Sequence, residues 1–362
     1  MTGEDDAFET LYARGVTDGL PVIAPTAARV RAAVEASGRP GDELIALVAP
    51  QHGRATVEKI AVNAVMAGCR PEYLPAVIAA VEGICDPAFA LEGVSGTTDA
   101  VAPLLIVNGP VRAELDVNCG VGVFGPGWRA NATIGRAVRL VWANVGGARA
   151  GVISMSTFAQ PGRYTYCIGE REEESPWEPL HVEHGFAPTD STVAALAAEA
   201  PQIVVDARSR GARDVLTTIA RSGEGIASHA IADLGDTLLV ISPEHVRTIA
   251  ADGWSKADVR TFLWERMRVE VDGARVAKFR EASALHIVVA GGTAGRFSAR
   301  CPVGRSAARP RAWSFARSAA ERPRSRRCAS CWITMSHRLV RKEFLPLPPS
   351  PVGPRSTAAS GG

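Results

Sequence analysis

The chain has 362 residues, 46% hydrophobic and 22% charged, with 40 Lys+Arg against 38 Asp+Glu for a net charge of +2. That length asks for one large domain or two smaller ones, and the apolar content suffices for a globular core. The near-neutral balance conceals a division. Residues 300–362 carry thirteen basic residues, twelve of them Arg, against two acids, which leaves 27 basic and 36 acidic residues, a net −9, in 1–299. An acidic body argues against a nucleic-acid enzyme unless the basic segment does the binding, so nucleic acid is not the expected partner.

No run approaches eighteen apolar residues, and no membrane span is expected. The opening Met-Thr-Gly-Glu-Asp-Asp lacks the basic start and apolar stretch of a secretory signal, which points to a cytoplasmic protein. Seven scattered cysteines fit reduced thiols better than a disulfide framework. Cys328-Ala-Ser-Cys331 has a Cys-x-x-Cys spacing, but no second pair or adjacent strand supports a zinc or redox site.

In chain order, Val57, Ile60, Ala61, Ala64 and Val65 mark one face of a helix, with Glu58, Lys59 and Asn63 on its outward side. Leu104-Leu-Ile-Val107, closed by Asn108-Gly-Pro110, reads as a buried strand. Ala130 to Asn144 is helical, with Ile134, Val138 and Val141 inward, Arg136 and Arg139 opposite, and Gly146-Gly147 as the stop. Thr237 to Ile241 is a strand, followed by Ser242-Pro243-Glu244: an N-cap hydroxyl, a proline at the first helical position and an acid in the first turn. Asp252-Gly253 ends that helix. Ser255-Lys-Ala-Asp258 is a capping box, with Trp254 and Val259 placed as a hydrophobic staple. His286 to Ala290 is a further strand, running into Gly291-Gly-Thr-Ala-Gly295. Strands alternating with helices predict an α/β protein, its mixed or mostly parallel sheets carrying helices on both faces.

This grammar stops after Ser298, where Arg, Pro, Ser and Ala take over. Two readings stay open for 300–362: a disordered basic tail, or GC-rich coding sequence read in a shifted frame. The expected organisation is a region over 1–187, a second α/β region over 188–299, and the tail.

The densest polar segment runs from Gln160 to Phe186. Its acids, Glu170 and Glu173 foremost, with His181 and His184, supply residue types for general acid/base pairs or metal ligands. Prolines 176, 179 and 188 keep it extended, as a loop held over something. The bland alternative is a solvated acidic loop. A second candidate is Asn118-Cys-Gly-Val-Gly-Val-Phe-Gly-Pro-Gly-Trp-Arg129. Its Gly120-x-Gly122-x-x-Gly125 matches the dinucleotide fingerprint, yet no clear strand precedes it. A less specific reading is an anion site: Gly125 and Gly127 allow close backbone approach, Arg129 adds a bidentate contact and Asn131 a neutral one. Cys119 is the best-placed nucleophile if a helix N-terminus and Arg129 lower its pKa. Lys59 and Asn63, one turn apart, join the anion-binding set if another element covers that face.

Asp18-Gly-Leu-Pro-Val22, the stretch from Ala55 to Tyr73, and Gly125-Pro-Gly-Trp-Arg-Ala-Asn-Ala-Thr-Ile-Gly-Arg136 resemble a largely uncharacterised bacterial family, as do Ser175-Pro-Trp-Glu-Pro-Leu-His181 and Gly253-Trp-Ser-Lys-Ala-Asp258. The family looks like the partner domain of proteins named for a Sec-Gly-Ser-Cys signature, themselves similar to the selenoprotein subunit of glycine/proline-type reductases. The resemblance covers roughly residues 10 to 299. It implies reductive, thiol-dependent chemistry, with the redox centre on a separate Cys- or Sec-containing protein, since this chain has no Cys-Gly-Ser-Cys. Relatives often carry Ser at the position of Cys119, and continue after Phe297-Ser-Ala299 with a Pro-Gly-Trp stretch that is missing here.

The expectation is therefore a cytoplasmic enzyme, or substrate-binding subunit of one, acting on a small polar anionic molecule. The alternative is a non-catalytic assembly subunit. A homo-oligomer is expected. Neither cofactor nor metal is specified.

Overall fold

Two helices, α1 (Gly3–Ala13) and α2 (Ala27–Ser37), lead into the hairpin β1 (Leu44–Val48) and β2 (Gly53–Thr56). The computed structural model describes residues 3–224, 236–271, 273–302 and 314–317. Thr56 then caps α3 (Val57–Ala67) by accepting from Lys59 N at 3.3 Å, and Gly68, at φ +92°, ends it. Its expected face, Val57 to Val65, is buried against α4 (Leu74–Ile84) and a later helix over Arg129–Asn144. A short α5 (Leu91–Gly96) precedes β3 (Ala102–Asn108), whose seven residues are all buried.

One turn of helix, α6 (Val111–Glu114), and a glycine-rich loop follow, then α7 (Arg129–Asn144), β4 (Cys167–Gly169) and another single turn, α8 (Leu180–Glu183). Gly135 is required where α7 crosses β4, because a Cβ there would lie 2.4 Å from Thr165 Oγ1 and 2.7 Å from Tyr166 N. Strand β5 (Thr192–Ala198) completes the first sheet with β3 and β4. The second sheet begins at β6 (Gln202–Val205). Its further parts are α9 (Ala212–Glu224), β7 (Thr237–Ile241), α10 (Pro243–Ala251), α11 (Lys256–Arg266), the small hairpin β8 (Arg268–Val271) and β9 (Ala274–Ala277), β10 (Leu285–Val289) and β11 (Phe297–Pro302). Residues Ser314–Arg317 form β12, which pairs antiparallel with β5.

Both four-stranded sheets are mixed. The first has the order β12-β5-β3-β4 and the second β10-β7-β11-β6. In each, one pair, β3 with β4 and β10 with β7, is parallel and the other pairings are antiparallel. The molecule is α/β, with helices on the two outer faces. Between those faces the arrangement differs from a helix-covered sheet: the two sheets close each other.

Period-2 alternation shows this directly. Leu105, Val107, Val193 and Ala195 pack under α3, α4 and α7, while Leu104, Ile106, Ala194 and Leu196 meet Leu238, Val240 and Val288 of the second sheet. Leu239, Ile241, Ile287 and Val289 point the other way, under α9, α10 and α11. A strand apolar on both sides is what a four-layer α/β/β/α stack demands.

The division expected at residue 187 falls before β5, which belongs to the first sheet, so the chain changes sheet between Ala198 and Gln202. The body also extends to Pro302: β11 pairs with both β6 and β7, and Arg300 and Cys301 are 2% and 0% exposed. Burial, opposed by the charges of Glu199 and Cys301, pulls the Arg300 guanidinium down to about 10. Apart from 314–317, the expectations for 303–362, including the Cys328/Cys331 pair and the reading-frame question, lie outside the described residues.

Local signals performed unevenly. The capping box of Ser255 and Asp258 is present in full. Ser242 occupies the N-cap position, but its hydroxyl donates to Gly295 O instead of capping α10. Trp254 meets Phe262 edge-on, with ring centroids 5.3 Å apart.

Candidate functional site

The parallel strands β3 and β4 end side by side, and their carboxyl ends place Asn108 next to Glu170. Ligands collect at such strand ends in α/β folds. Asn108 Nδ2 donates to Glu170 Oε2 at 2.6 Å, and Leu180 N donates to the same oxygen at 2.8 Å. Glu170 is 0% exposed. Burial, aided by the charge of Glu172, pushes its carboxyl up to about 7 against Lys256 and the two hydrogen bonds.

The other oxygen has no partner. Five of the seven buried side-chain N and O atoms without a hydrogen bond among the described residues belong to this corner: Asn108 Oδ1, Glu170 Oε1, Thr192 Oγ1, and both ring nitrogens of His181. Thr192 lies directly across from Asn108 in the β3–β5 register. His181, 0% exposed, follows the residue whose amide holds Glu170. Buried polar atoms pair almost always, so such a concentration calls for an explanation in function.

Over this corner runs the acidic loop, as an ion-paired strap. Arg112, 8% exposed, takes Glu172 at 3.0 Å and Glu173 at 2.7 Å, and donates to Glu170 O at 2.7 Å. Glu174 pairs with Arg171 and Arg247, and Glu183 with Lys256 and Arg260. Trp177 Nε1 donates to Trp254 O at 3.0 Å. Most of the acids are thus matched to cations from both halves of the molecule. Among the described residues no group of three His, Cys, Asp or Glu is placed to hold a metal. Gly109 makes the strand end possible: it sits at φ +81°, and a Cβ there would lie 2.1 Å from Asp190 O.

Glu173, the Cys119 thiol and the Glu170 backbone carbonyl therefore meet at Arg112, and His181 follows Leu180, whose amide holds the Glu170 carboxyl. The remaining expected residues do not join them. His184 is exposed and stacks on His286 at 5.9 Å, while His286 holds Asp236 at 3.0 Å. Arg129 is exposed and donates to Gly68 O at 3.0 Å, and Gly127 is exposed at φ +122°. Asn131 is a structural bracket: its Oδ1 accepts from Asn118 N, and its Nδ2 donates to Asn118 O and Cys167 O. With Gly125 it lines a mainly apolar cavity of about 420 Å³.

Lys59 is exposed, whereas Asn63, expected on a solvated face, is 4% exposed because α7 covers it: Asn144 Nδ2 donates to Asn63 Oδ1 at 2.8 Å. The lowering expected for Cys119 is not found. It lies well before the start of α7, and burial pushes its thiol up despite the charge of Arg112. The glycine fingerprint follows a loop rather than a strand, so its dinucleotide context is missing.

Sequence reasoning counted Glu172 among the loop acids but passed over Asn108, Arg112 and Thr192 as site residues. The turn Asn108-Gly-Pro110 did announce a strand end, which is where such residues gather. Nothing local pairs Arg112 with acids some sixty positions away. No protein family, curated protein or solved structure was found to match the chain.

Proposed function

We propose that the protein is an enzyme, or the substrate-binding subunit of one, that moves a proton on a small polar anionic molecule, with Glu170 as the acid/base group. The observation that carries this reading is the unpartnered set around Glu170 Oε1. A carboxyl near 7 exchanges its proton readily at neutral pH. Asn108 Oδ1, Thr192 Oγ1 and the His181 ring offer further hydrogen bonds that none of the described residues satisfies. Substrate enters when the 172–178 strap, held by Arg112, Arg171 and Arg247, lifts. The resemblance adds reductive chemistry with a separate Cys- or Sec-containing protein. The raised thiol of Cys119 favours leaving the reactive sulfur to that partner.

The test is solvent exchange. The full chain is incubated in D2O with a panel of small amino, hydroxy and keto acids, and deuterium incorporation at carbon is followed by NMR. Wild type exchanges at least one of them, and Glu170→Gln lowers that rate at least about a hundredfold. Absence of exchange across the panel, or an equal rate in the variant, overturns the proposal.

A second reading, a non-catalytic assembly subunit or homo-oligomer, is favoured by the apolar side chains left outside on one loop. Val152, Met155 and Phe158 are 71%, 56% and 93% exposed. Sedimentation of wild type against Phe158→Ser tests it: a monomer in both removes the oligomer reading.

A further inference from the structure

The two other unpartnered buried atoms lie elsewhere, on Arg139 and Arg300, and Arg139 lines a cavity. Between α7 and the segment 149–164 is a space of about 480 Å³ whose lining includes Arg139, Asn144, Arg149, Ser154, Gln160 and Arg163. That volume is within the range of small-molecule sites. None of the residues of the Glu170 corner lines it.

What distinguishes it is cationic charge without a direct ion pair among the described residues. Arg139 Nε donates to Arg163 O at 2.9 Å, its guanidinium carbon lies 4.2 Å from the Trp142 ring centre, and its buried Nη1 has no partner. Arg163 is fixed by neutral groups only, donating to Val101 O, Ser154 Oγ and Asp99 O. Arg149 reaches the rim and is exposed. Asp18, the acid on the wall, is taken by Arg136 through two bonds of 2.8 and 2.7 Å. Among the described residues none of the three cavity arginines has a carboxylate partner. Burial, then the charge of Arg163, pulls Arg139 down to about 9, and burial lowers Arg163 as well. The charges of Asp18 and Asp99 offset this only in part. Two half-buried cations held next to each other without an ion pair cost stability, and a bound anion reduces that cost.

We propose that this cavity is a binding site for a small organic carboxylate. Its carboxylate lies against the free edge of Arg139 and the Arg163 side, where a planar guanidinium matches it in geometry as well as charge. The carbon skeleton rests on Leu140, Ala143, Ala148 and Ala159, and Asn144 and Gln160 take polar substituents. Arg149 at the mouth draws the anion in.

The experiment is calorimetric titration of the full chain at pH 7 and fixed ionic strength with succinate, citrate and inorganic phosphate, alongside thermal unfolding with each. Saturable binding of succinate or citrate with a raised Tm is expected. Arg139→Met weakens it by about tenfold to a hundredfold, the loss of one charge-assisted contact. Without ligand that variant melts at the same temperature as wild type or above it, because an unpaired buried charge has gone, whereas a purely structural Arg139 would lower the Tm. If Arg139→Met does not fold, Arg149→Gln at the exposed rim gives the same readout with a smaller loss. No saturable binding of either carboxylate, binding of phosphate alone, or affinities unchanged in the variants overturns the proposal.

Discussion

Replacing Glu170 by Gln tests the physical basis of the site without a substrate. The variant keeps shape and leaves an acceptor for Asn108 Nδ2 and Leu180 N, but has no proton to lose. In wild type the folded state holds the Glu170 carboxyl up to about 7, against an ordinary value of 4.5, chiefly through burial. The folded protein therefore keeps a proton that the unfolded chain releases between those two values. Stability from this group is fully present below pH 4.5 and is lost as pH rises through 7. The shift corresponds to about 3 kcal/mol, the cost of a buried carboxylate above pH 7. Glu170→Gln escapes that cost. Its stability relative to wild type should change little near pH 4.5, rise by about 1.4 kcal/mol per unit above it, and level off beyond pH 7. Urea unfolding of both proteins at half-unit steps from pH 4.5 to 8.5 measures the difference directly. His245 and His286, whose imidazoles burial holds below the ordinary 6.5, act in the opposite sense, losing stability as pH falls from 6.5 through their lower folded values, but cancel in the difference. A difference that is flat with pH, or that favours wild type at pH 8, refutes the account of Glu170 as a buried, proton-retaining carboxyl.

Arg112→Met leaves Glu172 and the more exposed Glu173 without their cation, and removing one partner of the mostly buried Arg112–Glu172 pair costs about 3 kcal/mol. Chemical denaturation checks it, and a loss under about 1 kcal/mol would show that the strap does not depend on Arg112. Cys119, its thiol pushed up by burial, should alkylate with iodoacetamide at pH 7 more slowly than free cysteine, read by mass spectrometry. A rate above free cysteine restores it as a nucleophile.

The helices and strands were largely legible because their causes are short-range. Val57 to Val65 repeats at helical spacing, Thr237 to Ile241 is a bounded apolar run, and Ser255 with Asp258 closes a capping box across three residues. The candidate site was legible in part. Composition pointed to the acidic loop, and within it Glu170 and His181 carry unpartnered buried atoms while Glu173 pairs with Arg112. It could not separate the buried Glu170 carboxyl, which has no ion pair, from neighbours neutralised by Arg112 and Arg247, since those cations come from distant parts of the chain.

By itself, the sequence determined an acidic α/β body with mixed strands and helices, through periodicity and caps that act within a few residues. Tertiary structure alone decided that the two sheets close on each other, that β5 belongs to the first, and that α7 buries Asn63. It also decided which charges remain without partners. Burial and countercharge are properties of what surrounds a residue in space, and for Glu170 and Arg139 those surroundings include segments scores of residues away.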